Sequence, residues 1–290
     1  LRDAAGPFGS RLPQAERIST LTGSPGADTE PGALLSLLST GRLEVTGRVI
    51  DASNATFYGH VDLDGVRVNC VYKPTRGERP LWDFPDGTLA DREVATYLIC
   101  EAMGWTLVPP TVLRAGPFGP GMCQLWISST ELDSLLGIFG DGQEPPGWLP
   151  VLHGENSEGE PVTVAHADDS GLRRLCLLDV VVNNADRKGG HLLLTAGGEL
   201  HGVDHGICLH REDKLRTVLW GWAGEPLRPE ERDLLGRLSA ELDAGLGETL
   251  GDHLTQAEVE ATRHRVRELL RAGCLPEPAS GRPAVPWPPF

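Results

Sequence analysis

A carboxylate, an ammonium and an imidazole stand close together in one stretch of this chain. Asp186 is followed by Lys188 two positions later and His191 five positions later, and Val203-Asp204-His205-Gly206 comes after a short apolar run. Phosphoryl transfer asks little covalent chemistry of a protein. It needs cations on the phosphates, oxygen ligands for a divalent metal and a carboxylate beside the attacking hydroxyl. Asp186, Lys188 and Asp204 are candidates for those parts, and an upstream pair adds to them. Lys73 ends the apolar run 68–72, where an unpaired ammonium is costly to bury, and Glu93 lies one turn into the next helix-like run. The chain keeps only three lysines against 23 arginines (26 − 3), so each lysine is informative. A compact ammonium and a guanidinium fork are not interchangeable.

Those residues need elements to position them. The first half reads as β-rich: 43–50 alternates apolar and polar residues, and 56–63 and 66–72 are joined through Asp64-Gly65, a strong hairpin signal. A helix is expected over 89–103, with Gly104 to end it, and two further strands over 110–114 and 121–127. The second half turns helical. Residues 170–182 are apolar on one face and run into Asn183-Asn184-Ala185-Asp186, and short strands over 191–194 and 200–203 flank the Ala196-Gly197-Gly198 turn. Helices are expected over 230–244, ended by Gly245, and over 255–272, capped by Thr255. The expected organisation is a loose tail over 1–32, a β-rich N-lobe over 33–127, a mainly helical C-lobe over 128–275 and a loose proline-rich tail over 276–290.

Bulk properties narrow the partners. A chain of 290 residues can bury one large core or two small lobes. Its formal charge of 26 − 41 = −15 repels nucleic acid and anionic lipid surfaces, so neither is an expected partner. No apolar run approaches the roughly 18 residues of a membrane span, so integral membrane association is not expected. The start shows no basic-then-apolar leader, and the six cysteines are scattered without a CxxC pair; buried thiols in a reducing cytoplasm are expected. His201, His205 and His210 match no closed four-ligand zinc spacing.

Asp186-Arg187-Lys188-Gly189-Gly190-His191 resembles the kinase catalytic loop D-x-K-x-x-N, with histidine at the asparagine position. Val203-Asp204-His205-Gly206 resembles the metal-binding D-F-G, or the I-D-x-G of lipid kinases. The run 177–187, LLDVVVNNADR, is most similar to the phosphatidylinositol 3-/4-kinase superfamily, in particular its type II 4-kinase branch. Cys123-Gln124-Leu125-Trp126-Ile127 is similar to that branch's hinge strand, and the likeness points to an actinobacterial branch related to these kinases.

The resemblance implies an α+β, two-lobed protein-kinase-like fold with ATP between the lobes. In it Asp186 would orient or deprotonate the acceptor hydroxyl and Lys188 would contact the transferring phosphate. Asp204 would bind Mg²⁺ or Mn²⁺, and His191 would hold the second metal-ligand position. Lys73 would hold the α- and β-phosphates, oriented by Glu93. Ser53 and Asn54 stand where a phosphate-covering loop belongs, without the glycines of G-x-G-x-x-G, and Leu125 and Ile127 of the hinge-like run would contact the nucleotide. The implied reaction is transfer of the γ-phosphate to a hydroxyl of a protein or small molecule. An inositol lipid ranks lower, because the chain is acidic and has no basic amphipathic helix. Magnesium prefers hard oxygen ligands, whereas imidazole suits manganese or zinc. His191 therefore leaves three readings open: a manganese-favouring site, a site in which only Asp204 ligates, and a pseudokinase that binds nucleotide without transfer. Nucleotidyl transfer on the same fold is the remaining alternative.

Overall fold

The computed structural model describes residues 31–49, 54–130, 132 and 134–290; residues 1–30 of the expected N-terminal tail lie outside these. The chain then enters helix α1 (Pro31–Thr40) and an antiparallel sheet of β1 (Arg42–Arg48), β2 (Phe57–Leu63), β3 (Val66–Pro74), β4 (Thr111–Gly116) and β5 (Gly119–Leu125), in the order β1-β2-β3-β5-β4. Asp64 and Gly65 both have positive φ, 52° and 81°, as the tight turn of a twisted hairpin requires, and they set Leu63 opposite Val66. That register decides which side chains reach the site. Alternate residues of a strand point to opposite faces. Val68 and Cys70 pack with Leu37 and Leu38 of α1 in a small core of their own, while Lys73 turns to the other face. Helix α2 (Leu89–Ala102) lies there, capped by the Thr88 hydroxyl on Asp91 N, and it buries Glu93.

A second antiparallel sheet follows, β6 (Leu136–Gly140), β7 (Trp148–Glu155) and β8 (Pro161–Ala167) in the order β6-β8-β7, in a region for which the sequence offered no strand. Beyond it the chain is mainly helical: α3 (Ser170–Val182), the small hairpin β9 (Leu192–Leu194) and β10 (Leu200–Gly202), then α4 (Pro229–Leu242), α5 (Gly245–Leu250) and α6 (Gln256–Ala272). Gly245, expected to end a helix, instead opens α5. Leu172, Leu175, Leu177, Leu178, Val181 and Val182 of α3 are all buried in the large core. Fully burying an aliphatic side chain stabilises by about 1.5–3 kcal/mol, so α3 is the best-anchored element next to the site. The α+β class expected from the sequence is the class observed.

Residues 276–290 hold no helix or strand, yet they do not hang free. Ala284 O accepts from Thr217 N (3.1 Å) and from Trp220 Nε1 (2.8 Å), and Pro289 O accepts from Gly189 N (2.8 Å). The prolines that suggested a loose tail remove donors, but their carbonyls still accept and their rings stiffen the chain.

Candidate active site

Lys73 at the end of β3, Glu93 on α2 and Asp204 just after β10 meet at one point. The Lys73 Nζ lies 2.6 Å from Glu93 Oε1 and 2.7 Å from Asp204 Oδ1. Burial alone would lower the Lys73 pKa, but the Asp204 and Glu93 carboxylates outweigh that and hold it above its ordinary value. In return Lys73 holds Asp204 well below the usual carboxylate range, while burial pushes Glu93 up. Asp204 sits at φ 64°, a left-handed conformation that aspartate tolerates better than most residues. Gly206 lets this loop close on α2: a Cβ there would come within 3.1 Å of Leu89 Cβ.

The other carboxylate arrives from the C-terminal end of α3. Asn183 ends the helix at φ 55°, and its side-chain amide donates to the carbonyls of His210 and Glu212. Asn184 donates to Asp179 and accepts from Asp186 N, a local turn that aims Asp186 outward. Lys188 Nζ is 3.3 Å from Asp186 Oδ2. Arg187 turns the opposite way and is fully buried. It binds the Asp179 carboxylate through Nε and Nη2, donates from Nη1 to Val203 O (3.0 Å), and donates from Nη2 to His205 Nε2 (2.6 Å). Thr217 Oγ1 donates to Asp179 as well. One buried carboxylate thus suspends both the loop bearing Asp186 and the loop bearing Asp204. His205 must accept from Arg187, and burial followed by the Arg187 charge keeps its pKa well below the histidine range.

A cavity of about 100 Å³ opens between these groups, lined among others by Asn54, Thr56, Lys73, Glu93, Asp186 and Asp204. The structure therefore brings together Lys73, Glu93, Asn54, Asp186 and Asp204, with Lys188 and His191 beside them. Ser53 lies outside the described residues. Leu125 and Ile127 do not line this cavity. Leu125 pairs with Cys70 and packs on the α1 side of the sheet, so its side chain faces away from Lys73. Gln124, one residue earlier, takes the Lys73 face and is buried against Thr111 Oγ1. Sequence reasoning missed Glu78, which lines the cavity and accepts from the first amides of α2. It missed the Asp179–Arg187–His205–Thr217 network too, although a carboxylate inside the apolar run LLDVVV was a signal that a buried partner was needed.

Among the described residues no group of three or more His, Cys, Asp and Glu side chains gathers as a ready metal site. Two observations nevertheless fit a divalent ion. Glu93 Oε2 is buried without a hydrogen-bond partner, and an orphaned carboxylate oxygen is costly unless a cation meets it. Asp204 Oδ2 lies 3.5 Å from His191 Nε2, and burial lowers the His191 pKa, which favours the neutral imidazole a ligand must be. Asp204 and Glu93 are hard oxygen donors suited to magnesium or manganese, and His191 would favour manganese.

No family model matches the chain. Over 264 residues it is 47% identical to Protein Rv2133c of Mycobacterium tuberculosis, covering 88% of this chain and 95% of that protein. The chain belongs to the family of that protein. It is also similar to phosphatidylinositol 4-kinase gamma 4 of Oryza sativa subsp. japonica, 28% identical over 55% of this chain and 28% of the kinase. Phosphatidylinositol 4-kinase gamma 2 of Arabidopsis thaliana is 26% identical over 64% of this chain and 36% of its own length. The chain therefore spans about a third of these plant relatives. Among solved structures, that of hydra Fam20 with sugar aligns with a TM-score of 0.54 at 14% identity, over 85% of this chain and 89% of that one. The Golgi casein kinase with Mn/ADP bound aligns with a TM-score of 0.52 at 14% identity, over 83% and 75%. The fold is kinase-like.

Proposed function

We propose that this protein transfers the γ-phosphate of ATP to a hydroxyl of a protein or small molecule. The observation that carries the reading is the Lys73 ammonium held between Glu93 and Asp204, with Asp186 on the same cavity. In this reading 33–127 is the N-lobe and 128–275 the C-lobe, with the nucleotide between them. Lys73 takes the phosphates, Asp204 with Glu93 or His191 holds the metal, Asp186 orients the acceptor hydroxyl and Lys188 neutralises the transferring group. Charge supports the need for metal. Lys73 faces Glu93, Asp186 and Asp204, so a triphosphate would meet net negative charge unless divalent cations came with it. The ADP and manganese named for the Golgi casein kinase structure are consistent with that requirement.

The narrower assignment to the type II 4-kinase branch rests on the motifs alone. An inositol lipid acceptor ranks below a protein or small molecule, because the net charge of −15 repels anionic surfaces. We place the protein in the cytoplasm, where its six free thiols would stay reduced.

The test uses purified protein with γ-labelled and with α-labelled ATP, in Mg²⁺ and in Mn²⁺. Transfer of γ label that is lost in Asp186→Asn is expected. Transfer of α label instead would mean nucleotidyl transfer, and nucleotide binding without transfer of either label would mean a pseudokinase.

A further inference from the structure

Residues 284–290 have no part in the reaction outlined above, yet they lie against the loop that carries Asp186. Ala284 and Val285 pack on the large core, and Pro286 and Pro289 are buried. Arg282, just before them, pairs with Asp213 at 2.7 Å. At the far end the Phe290 ring covers Gly189. A Cβ added to Gly189 would fall 2.5 Å from Phe290 Cδ1 and 2.8 Å from Leu136 Cδ2, so the loop is clasped between this strap and β6.

Both hydrogen-bonded ends of the strap land on segments of the site. Pro289 O holds the amide of Gly189, next to Lys188. Ala284 O holds the amide of Thr217, which is bridged in parallel to Arg187 and donates to Asp179. The strap therefore joins from outside the same two segments that Asp179 joins from beneath. The loop needs such help. Gly189 and Gly190 have no side chains with which to anchor themselves, and glycine has the most backbone freedom to lose. The strap, with prolines at 286, 288 and 289, has less freedom to lose when it docks.

We propose that the strap 284–290 is a positioning element of the phosphotransfer centre. Phe290 and Pro289 fix Lys188-Gly189-Gly190, and through them the placement of Lys188 beside Asp186. The proposal rests on the phosphotransfer reading for its consequence, but its structural half can be measured without any turnover.

The experiment compares the full chain with Phe290→Ala and Phe290→Leu, by deuterium exchange over the peptide containing Gly189 and by kinetics with γ-labelled ATP and Mn²⁺. In Phe290→Ala, exchange at Gly189 should speed up about tenfold or more, as a local opening does. The same variant should lose about tenfold in kcat with less than about twofold change in KM for ATP, because nucleotide binding is not what the strap holds. Phe290→Leu should restore most of both. Unchanged exchange at Gly189 would overturn the proposal, and so would a rise in kcat, which would make the strap an inhibitor. A native chain that turns over no ATP would sink the phosphotransfer reading, leaving the exchange data to decide the strap's hold on the loop. Should Phe290→Ala lose the fold, Phe290→Val, which trims the ring while keeping a branched apolar side chain, carries the same two readouts.

Discussion

The ammonium of Lys73 lies 2.7 Å from the carboxylate of Asp204, a contact that joins residues 131 apart in sequence. A metal ion bound at Asp204 must compete with that contact, so charge at this point is shared between a fixed cation and an exchangeable one. Lys73→Met should leave Asp204 and Glu93 facing each other without an ammonium. The expected outcome is loss of the thermal shift that ATP gives with Mn²⁺ and a fall in turnover of about 10²–10³-fold, the scale of removing one preorganised charge. Lys73→Arg should not restore turnover, because a longer, planar guanidinium does not take the place of a compact ammonium held 2.6 and 2.7 Å from two carboxylates.

Asp186→Asn keeps the size and the local turn but removes the carboxylate proposed as the base. Turnover should fall about 10²–10⁴-fold, with nucleotide binding and melting temperature nearly unchanged. A comparable loss of ATP affinity, read by calorimetry, would place Asp186 in ground-state binding instead.

Metal choice should follow His191. Replacing the imidazole by an amide oxygen in His191→Asn is expected to raise turnover with Mg²⁺ relative to Mn²⁺, since magnesium prefers oxygen donors. The ratio of initial rates in the two metals measures it. An unchanged ratio would show that His191 does not ligate.

Arg187 should matter more to stability than any other residue near the cavity. Its side chain and that of Asp179 are both 0% exposed. Arg187→Met leaves a buried carboxylate unpaired and should cost about 3–5 kcal/mol in urea unfolding. The double variant Arg187→Met with Asp179→Leu should recover part of that stability without recovering turnover, because the loops of Asp186 and Asp204 would no longer share a support.

Acid should destabilise the fold in the window set by its histidines. The folded pKa values of His166, His191 and His205 all lie below the ordinary value, chiefly through burial. Below about pH 6.5 the unfolded chain binds protons that the folded chain does not. Stability should therefore fall as pH drops from 7 to 5, by up to about 1.4 kcal/mol per pH unit for each such histidine. His205→Gln offers Arg187 an acceptor that does not titrate, and should make the acid limb of a melting-temperature profile shallower.

What could be read in the sequence was local. Asp64-Gly65 announced its hairpin, the run into Asn183-Asn184 announced α3, and Asp186, Lys188 and Asp204 were picked out by residue type and spacing. The rest depended on pairings that no local pattern carries. Which face Leu125 takes follows from the register of β3 on β5, and that register put Gln124, not Leu125, on the Lys73 side. The second sheet was hidden because β7 is broken by Pro150 and a register shift before Leu152, which spoils the alternation expected of a strand. The strap was hidden because its prolines say what the chain cannot form and nothing about what its carbonyls can reach.

The two hydrophobic cores have a consequence for how the molecule fails. The first sheet rests on a small cluster built around Leu37, Leu38, Val61, Val68, Cys70 and Cys123, while α3 and the loop of Asp186 rest on the large one. A small core opens more readily than a large one. On warming, the sheet that carries Lys73 should slacken while the half that holds Asp186 is still folded, so the proposed turnover would disappear at a lower temperature than helical structure does.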